Sequence, residues 1–138
     1  MAMPTSYREF VDDLEALTIT GVNRQYTQGP PTGASGVADC PCQFVVFPGG
    51  SERALVFGMQ GGWPSLRAEL WVGVGPVGQD VGPENFDNGV DMMDNVSDAL
   101  RSAECITRAH FTWDIDLVER PIAGMMYWVV LTRIEGSG

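Results

Sequence analysis

Three cysteines and one histidine are the residues best suited to chemistry in this chain: Cys40, Cys42, Cys105 and His110. Together they count out as a Cys₃His zinc set, since zinc takes four thiolate or imidazole ligands at the corners of a tetrahedron. The spacing argues against it. Cys40 and Cys42 flank a single proline, tighter than the usual C-x₂-C, and the other two donors can join them only through the tertiary fold. A disulfide between Cys40 and Cys42 would close a small, strained ring. An odd count of thiols also does not make a secreted disulfide framework. We therefore expect reduced thiols in a reducing compartment, and no metal or cofactor.

Other constellations fail on geometry. Gly73-Val74-Gly75-Pro76-Val77-Gly78 has the letters of a dinucleotide fingerprint, but that motif needs a helix to open on it and hold a pyrophosphate. Asp80, Gly82 and Pro83 instead read as more loop. A Ser–His–Asp triad would have to use His110, and no serine stands in a G-x-S-x-G elbow. Asp114 and Asp116 share one face of one strand, whereas glycosidase carboxylates face each other across a cleft. Asp87, Asp91, Asp94 and Asp98 recur at helical spacing, and a line spread over about three turns does not converge on one cation. No enzyme site survives, so a non-enzymatic role is expected.

The composition removes further classes. The chain has 138 residues, one domain's worth, with 18 acidic side chains against 8 basic ones and a net charge of −10. All eight bases are arginines, scattered singly from Arg8 to Arg133, as suits pairing between subunits. Without lysine there is no Walker-type lysine, Schiff base or lysine general base. Without a basic cluster there is no grip on nucleic acid phosphates. No apolar run reaches the length of a membrane span.

The elements that must position these residues read as follows. Ser6 and Glu9 have capping-box spacing before an amphipathic helix whose apolar face is Tyr7, Phe10, Leu14 and Leu17. A breaker-rich stretch from about Asn23 to Pro41 follows, read as a long flexible loop or a docking arm that orders against a partner. Gln43–Phe47 reads as a short strand stopped by Pro48-Gly49-Gly50. Glu52–Met59 and Leu66–Val74 read as a hairpin around Gln60-Gly61-Gly62-Trp63-Pro64, and Trp63 there is an exposed anchor for a partner. A second helix runs from about Phe86 to Ala103, capped by Asn85, with an apolar stripe of Phe86, Val90, Met93, Val96 and Leu100. Two strands close the chain. Phe111, Trp113, Ile115 and Leu117 alternate with polar residues in the first, Arg120–Gly124 turns, and Met125–Ile134 is the second, before a frayed tail at 136–138. The expected fold is α+β: one domain over residues 1–138, with an antiparallel or mixed sheet of about five strands and two helices packed against it.

In layout the chain resembles phage tail terminator (tail completion) proteins and their relatives in gene transfer agents. The segments that carry the resemblance are Tyr7–Leu17, Ala38-Asp39-Cys40-Pro41-Cys42-Gln43-Phe44-Val45, the Gly61-Gly62-Trp63-Pro64 hairpin, the helix near Phe86–Leu100, and the ending Tyr127-Trp128-Val129-Val130. The resemblance implies a structural virion protein at the tail–neck junction, present in host cytoplasm during assembly. It would form a homo-hexameric ring that caps the tail tube, stops polymerisation, and joins a head–tail connector or stopper, with DNA passing through the lumen unbound. Under it, Gln28, Gly29, Pro30, Pro31, Gln60, Trp63 and Pro64 are the expected interface residues. Asp87, Asp91, Asp94 and Asp98 are the expected lumen-facing acids. A different neck or tail-tube component is the alternative within that class, and a small ligand-binding α+β domain is the alternative outside it.

Overall fold

A computed structural model describes residues 6–31, 40–51, 65–103 and 110–137. The first element, α1, is Tyr7–Glu15, and Ser6 caps it: its Oγ accepts the Glu9 N–H at 3.1 Å. Five strands form one sheet: β1 (Arg24–Gln25), β2 (Cys42–Ser51), β3 (Ser65–Pro76), β4 (His110–Ile122) and β5 (Met125–Ser137). A three-residue 3₁₀ turn, Gln79–Val81, leads into α2 (Gly82–Ser102). The strand order is β1-β2-β3-β5-β4, parallel between β1 and β2 and antiparallel elsewhere. The sheet is thus mixed and the fold α+β, as the sequence predicts.

Alternation decides which side chains go inward. Leu66, Ala68, Leu70, Val72 and Val74 of β3 join Val130 and Ile134 of β5 beneath Phe10 and Leu14 of α1 and Met92, Val96 and Leu100 of α2. Both helices therefore cover the same face, and that face holds the main core. Phe10 stacks on Phe111 across it, with ring centroids 5.3 Å apart. The opposite face carries a smaller cluster of Cys42, Phe44, Ile122, Tyr127, Val129 and Leu131.

Several expected boundaries move. Arg24 and Gln25, expected inside the irregular stretch, pair with Cys42 and Gln43 as β1. β2 does not stop at Pro48-Gly49-Gly50; it shifts register between Val46 and Gly49 and continues to Ser51. A bulge of this kind absorbs a proline that a regular ladder would reject. β3 pairs with β2 and β5, while the expected strand Glu52–Met59 lies outside the described residues. The β4–β5 turn shrinks from Arg120–Gly124 to Ala123-Gly124, both at positive φ (52° and 86°), the two-residue geometry that matches strand twist. Arg120, Pro121 and Ile122 belong to β4.

α2 is also displaced. It opens at Gly82-Pro83, because a first-turn proline lacks an N–H that would be unpaired there anyway. Asn85 is therefore inside the first turn and does not cap it; its Nδ2 donates to the Pro76 carbonyl at 2.9 Å. The buried line is Gly89, Met92, Val96 and Leu100, while Phe86 and Val90 are 43% and 44% exposed. Gly89 suits this rotation: a Cβ there would stand 2.7 Å from Leu117 Cδ1, so the helix lies close to β4 along its glycine. On α1, Tyr7 is likewise exposed, and its ring lies over Gly50.

Candidate interaction surface

The loop after β1 is built onto the body. Asn23 N–H donates to the Pro41 carbonyl (2.7 Å) and Tyr26 N–H to the Gln43 carbonyl (2.8 Å). The Asn23 side chain donates to the Cys40 carbonyl at 2.9 Å. Gln28 and Gly29 turn the chain at positive φ, and the Gln28 N–H donates to the buried Glu15 carboxylate at 2.9 Å. Of the expected interface residues, Gln28 and Pro30 are exposed, Gly29 is half-buried and Pro31 is buried. The arm is thus anchored as far as Pro31. Gln60, Trp63 and Pro64 lie outside the described residues.

Gly29, Pro30 and Pro31 form one wall of an apolar groove of about 490 Å³ on the helix-free face. Phe44, Phe47, Pro48 and Trp71 floor it, and Pro121, Ile122 and Ala123 form the far wall. Phe47 is 67% exposed and meets the Trp71 ring edge-on at 6.2 Å. Trp71 Nε1 donates to Glu69 at 3.0 Å, so the indole keeps its apolar face toward the groove and its polar atom satisfied.

Next to this groove the sheet ends in exposed apolar side chains. Met125 and Met126 follow the β4–β5 turn, and the Val77 N–H donates to the Met126 carbonyl. Trp128 Nε1 donates to the Gly82 carbonyl at 3.1 Å, and Phe86 packs edge-on against Trp128. Val81, Phe86, Met125 and Met126 thereby gather at one end, with Val90 one helical turn further on. Sequence reasoning missed this end. It placed Phe86 and Val90 in the core stripe and Met125 in the most apolar strand; the available signal was Gly89, a close-approach residue at the centre of the helix.

The acidic line is where the spacing puts it. Asp87, Asp91, Asp94 and Asp98 are all exposed. At about 100° per residue, their line lies about 180° from the buried line of α2. Among the described residues only Asp98 has a cation within reach, Arg101 at 3.9 Å. Asp114 and Asp116 are exposed on the helix-free face of β4, with Arg133 3.7 Å from Asp116. Arg8, Arg101 and Arg133 thus each have an acidic neighbour within their own chain. Asp13 is half-buried beside Glu9 and Asp12; burial first, then those two carboxylates, raise its pKa.

The His110 backbone stands far from Cys40 and Cys42. Cys42 pairs with Gly73, Gly73 with Val129 and Val129 with Val118. His110 stands eight residues further along β4, about 26 Å away at the strand rise. Cys105 and the His110 side chain lie outside the described residues, and no cluster of three metal-ligating side chains occurs among those described. Gly73 and Gly75 sit in β3, with α2 beginning only at Gly82, so no helix opens on the glycine-rich letters. Cys40 and Cys42 form no disulfide, and their sulfurs are 3.8 Å apart. Burial, then the two thiols, push the Tyr127 hydroxyl up to about 12. Among the described residues no helix is long and apolar enough to cross a membrane. The chain matches no model of a known protein family, and no curated protein matches it.

Proposed function

We propose that this chain is a structural virion subunit of the tail terminator kind, a hexameric ring that caps a tail tube and presents its other side to a head connector. The observation that carries the reading is the apolar end of the sheet, where Val81, Phe86, Met125 and Met126 stand exposed together beside the groove of Phe47 and Trp71. Clustered exposed apolar surface marks a place where another macromolecule sits. The edge of β4 adds to it: thirteen residues long, with no strand on its outer side among the described residues. Such an edge can pair with a neighbour, and a head-to-tail contact repeated by rotation closes a ring.

The charge fits the same reading. A ring of six such chains carries sixty net negative charges, and a channel lined by Asp87, Asp91, Asp94 and Asp98 repels DNA phosphates and lets DNA pass without sticking. The groove and the anchored Gln28–Pro31 loop supply contacts to a neighbour or to the tube.

The test is to add the purified protein to polymerising tube subunits of the same particle and measure tube length by electron microscopy. A terminator shortens tubes in proportion to its concentration, and native mass spectrometry shows six copies at the tube end or in solution. M125D/M126D, on side chains already half exposed, should leave the subunit folded and abolish the shortening. Tubes of unchanged length refute the reading, and filaments made of this chain would make it a tube component instead.

A further inference from the structure

The geometry points to a site for a thiophilic d¹⁰ metal ion, Cu(I), held between the sulfurs of Cys40 and Cys42. The two sulfurs lie 3.8 Å apart. With metal–sulfur bonds of about 2.3 Å that separation corresponds to an S–metal–S angle of about 110°, so both thiolates can reach one ion. They also converge in space. A Cβ built on Gly73 would lie 3.5 Å from Cys42 Sγ and 3.9 Å from Cys40 Sγ, so both sulfurs overhang the same glycine, with the Ile122 side chain as an apolar wall.

A second, independent feature is the Tyr127 hydroxyl. Tyr127 is fully buried in the cluster that contains Cys42 and has Cys40 packed against it, and its oxygen has no hydrogen-bond partner among the described residues. A buried donor without an acceptor is costly, and native structures usually give one a reason. Two thiolates with one Cu⁺ carry one negative charge, and the neutral O–H dipole in the same cluster, with neither sulfur in hydrogen-bond reach, is free to turn toward that charge. Binding replaces the two S–H protons, which leave to solvent, with one Cu⁺. Polar groups just outside a metal's ligands orient and tune them.

The donor set selects the metal. Two soft thiolates and no third ligating side chain among the described residues suit an ion content with low coordination, which is Cu(I); Zn(II) needs four ligands. Cys42 is fully buried and Cys40 half-buried, so the ion enters from the Cys40 side, and that side stays open to an outside donor such as a low-molecular-weight thiol. This inference is independent of the ring reading.

The experiment uses full-length protein carrying C105S, reduced and kept anaerobic, titrated with Cu(I) against bathocuproine disulfonate. The expected result is one Cu(I) withheld per chain, lost in C40S. Y127F, which keeps the ring in the core, should weaken Cu(I) binding by about tenfold with the thermal melt of the metal-free protein preserved. Failure of C105S protein to retain Cu(I), or retention that survives C40S, overturns the site. A tighter hold on Zn(II) than on Cu(I) overturns the choice of metal, and Y127F with wild-type affinity overturns the role of the hydroxyl.

Discussion

The carbonyl of Leu17 joins the end of α1 to β1 and β2, and its two donors make a sharp prediction. Gln25 Nε2 reaches it at 2.7 Å and Gln43 Nε2 at 2.8 Å. Gln43 is fully buried, and its own Oε1 has no partner among the described residues. Q43M keeps the length of the side chain, removes that unpaired acceptor, and leaves the carbonyl bonded to Gln25. The lost bond costs about 1 kcal/mol, while relieving a buried unsatisfied acceptor is worth about 1–3 kcal/mol. Q43M should therefore range from unchanged to about 2 kcal/mol more stable, although it deletes a buried hydrogen bond. Q25A alone should cost about 1 kcal/mol, because Gln43 still holds the carbonyl. The double variant strands a buried carbonyl and should lose about 1–3 kcal/mol beyond the sum of the two single changes. Urea denaturation at constant m-value reads all four corners of the cycle. A loss of about 1 kcal/mol or more in Q43M, or a double variant additive within about 0.5 kcal/mol, would refute the reasoning.

Two further outcomes follow from the same structure. D13N should stabilise the protein at neutral pH, since Asp13 is half-buried beside Glu9 and Asp12 and its pKa is raised. A raised carboxylate pKa contributes stability below the unfolded value and loses it as pH rises through the folded value, so the advantage of D13N should vanish below about pH 3.8. Thermal melts from pH 3 to pH 7 check this, and a gap between the two proteins that stays constant with pH would refute it. The glycines of α2 should behave oppositely. G82A drives a Cβ into the Val77 carbonyl oxygen, a backbone atom with little room to yield, and should cost about 1–3 kcal/mol. G89A meets the outer side-chain atoms of the half-buried Leu117, its two methyls nearest, and the helix-propensity gain of about 1 kcal/mol should offset that shift. Equal losses in chemical denaturation would contradict the contrast.

How much of this was legible depended on period and on distance along the chain. Ala68, Leu70, Val72 and Val74 alternate cleanly, as do Phe111, Trp113, Ile115 and Leu117, and both strands stand where that alternation puts them. The acidic line of α2 was equally readable, because Asp87, Asp91, Asp94 and Asp98 keep helical spacing. β1 was not readable: two residues carry no period, and Arg24 and Gln25 become a strand only because β2 lies beside them. Pro48-Gly49-Gly50 read as a stop because their letters break a regular ladder, yet the register shift after Val46 takes them into β2. Gly82-Pro83 read as more loop, whereas the first turn of a helix accepts a proline. The candidate surface fared worse than the fold. Phe86 and Val90 fit an apolar stripe by spacing alone, and their exposure follows from a rotation in which Gly89 packs on Leu117, a contact between distant segments. The meeting of the Cys40 and Cys42 sulfurs over Gly73, in the cluster of Tyr127, depends on strand register.

That rotation also bears on how the surfaces could work together. On α2 the exposed flank of Phe86 and Val90 lies about 90° around the helix axis from the Asp87–Asp98 line, and the core lies about 180° from that line. A body seated on the apolar flank, next to Met125 and Met126, therefore covers one side of α2 without covering its carboxylates. Seating it on the carboxylates instead would desolvate four charges of one sign, of which only Asp98 has a cation nearby among the described residues. Binding at the flank is thus favoured by apolar burial, and binding at the acidic line is opposed by desolvation and mutual repulsion. One helix with these two directions at a right angle fixes which side of a subunit meets its neighbour and which side stays in water. In a closed ring, the wet direction of such a helix can be the channel itself. The apolar end and the acidic line then follow from a single placement of α2, in which Gly89 packs against β4.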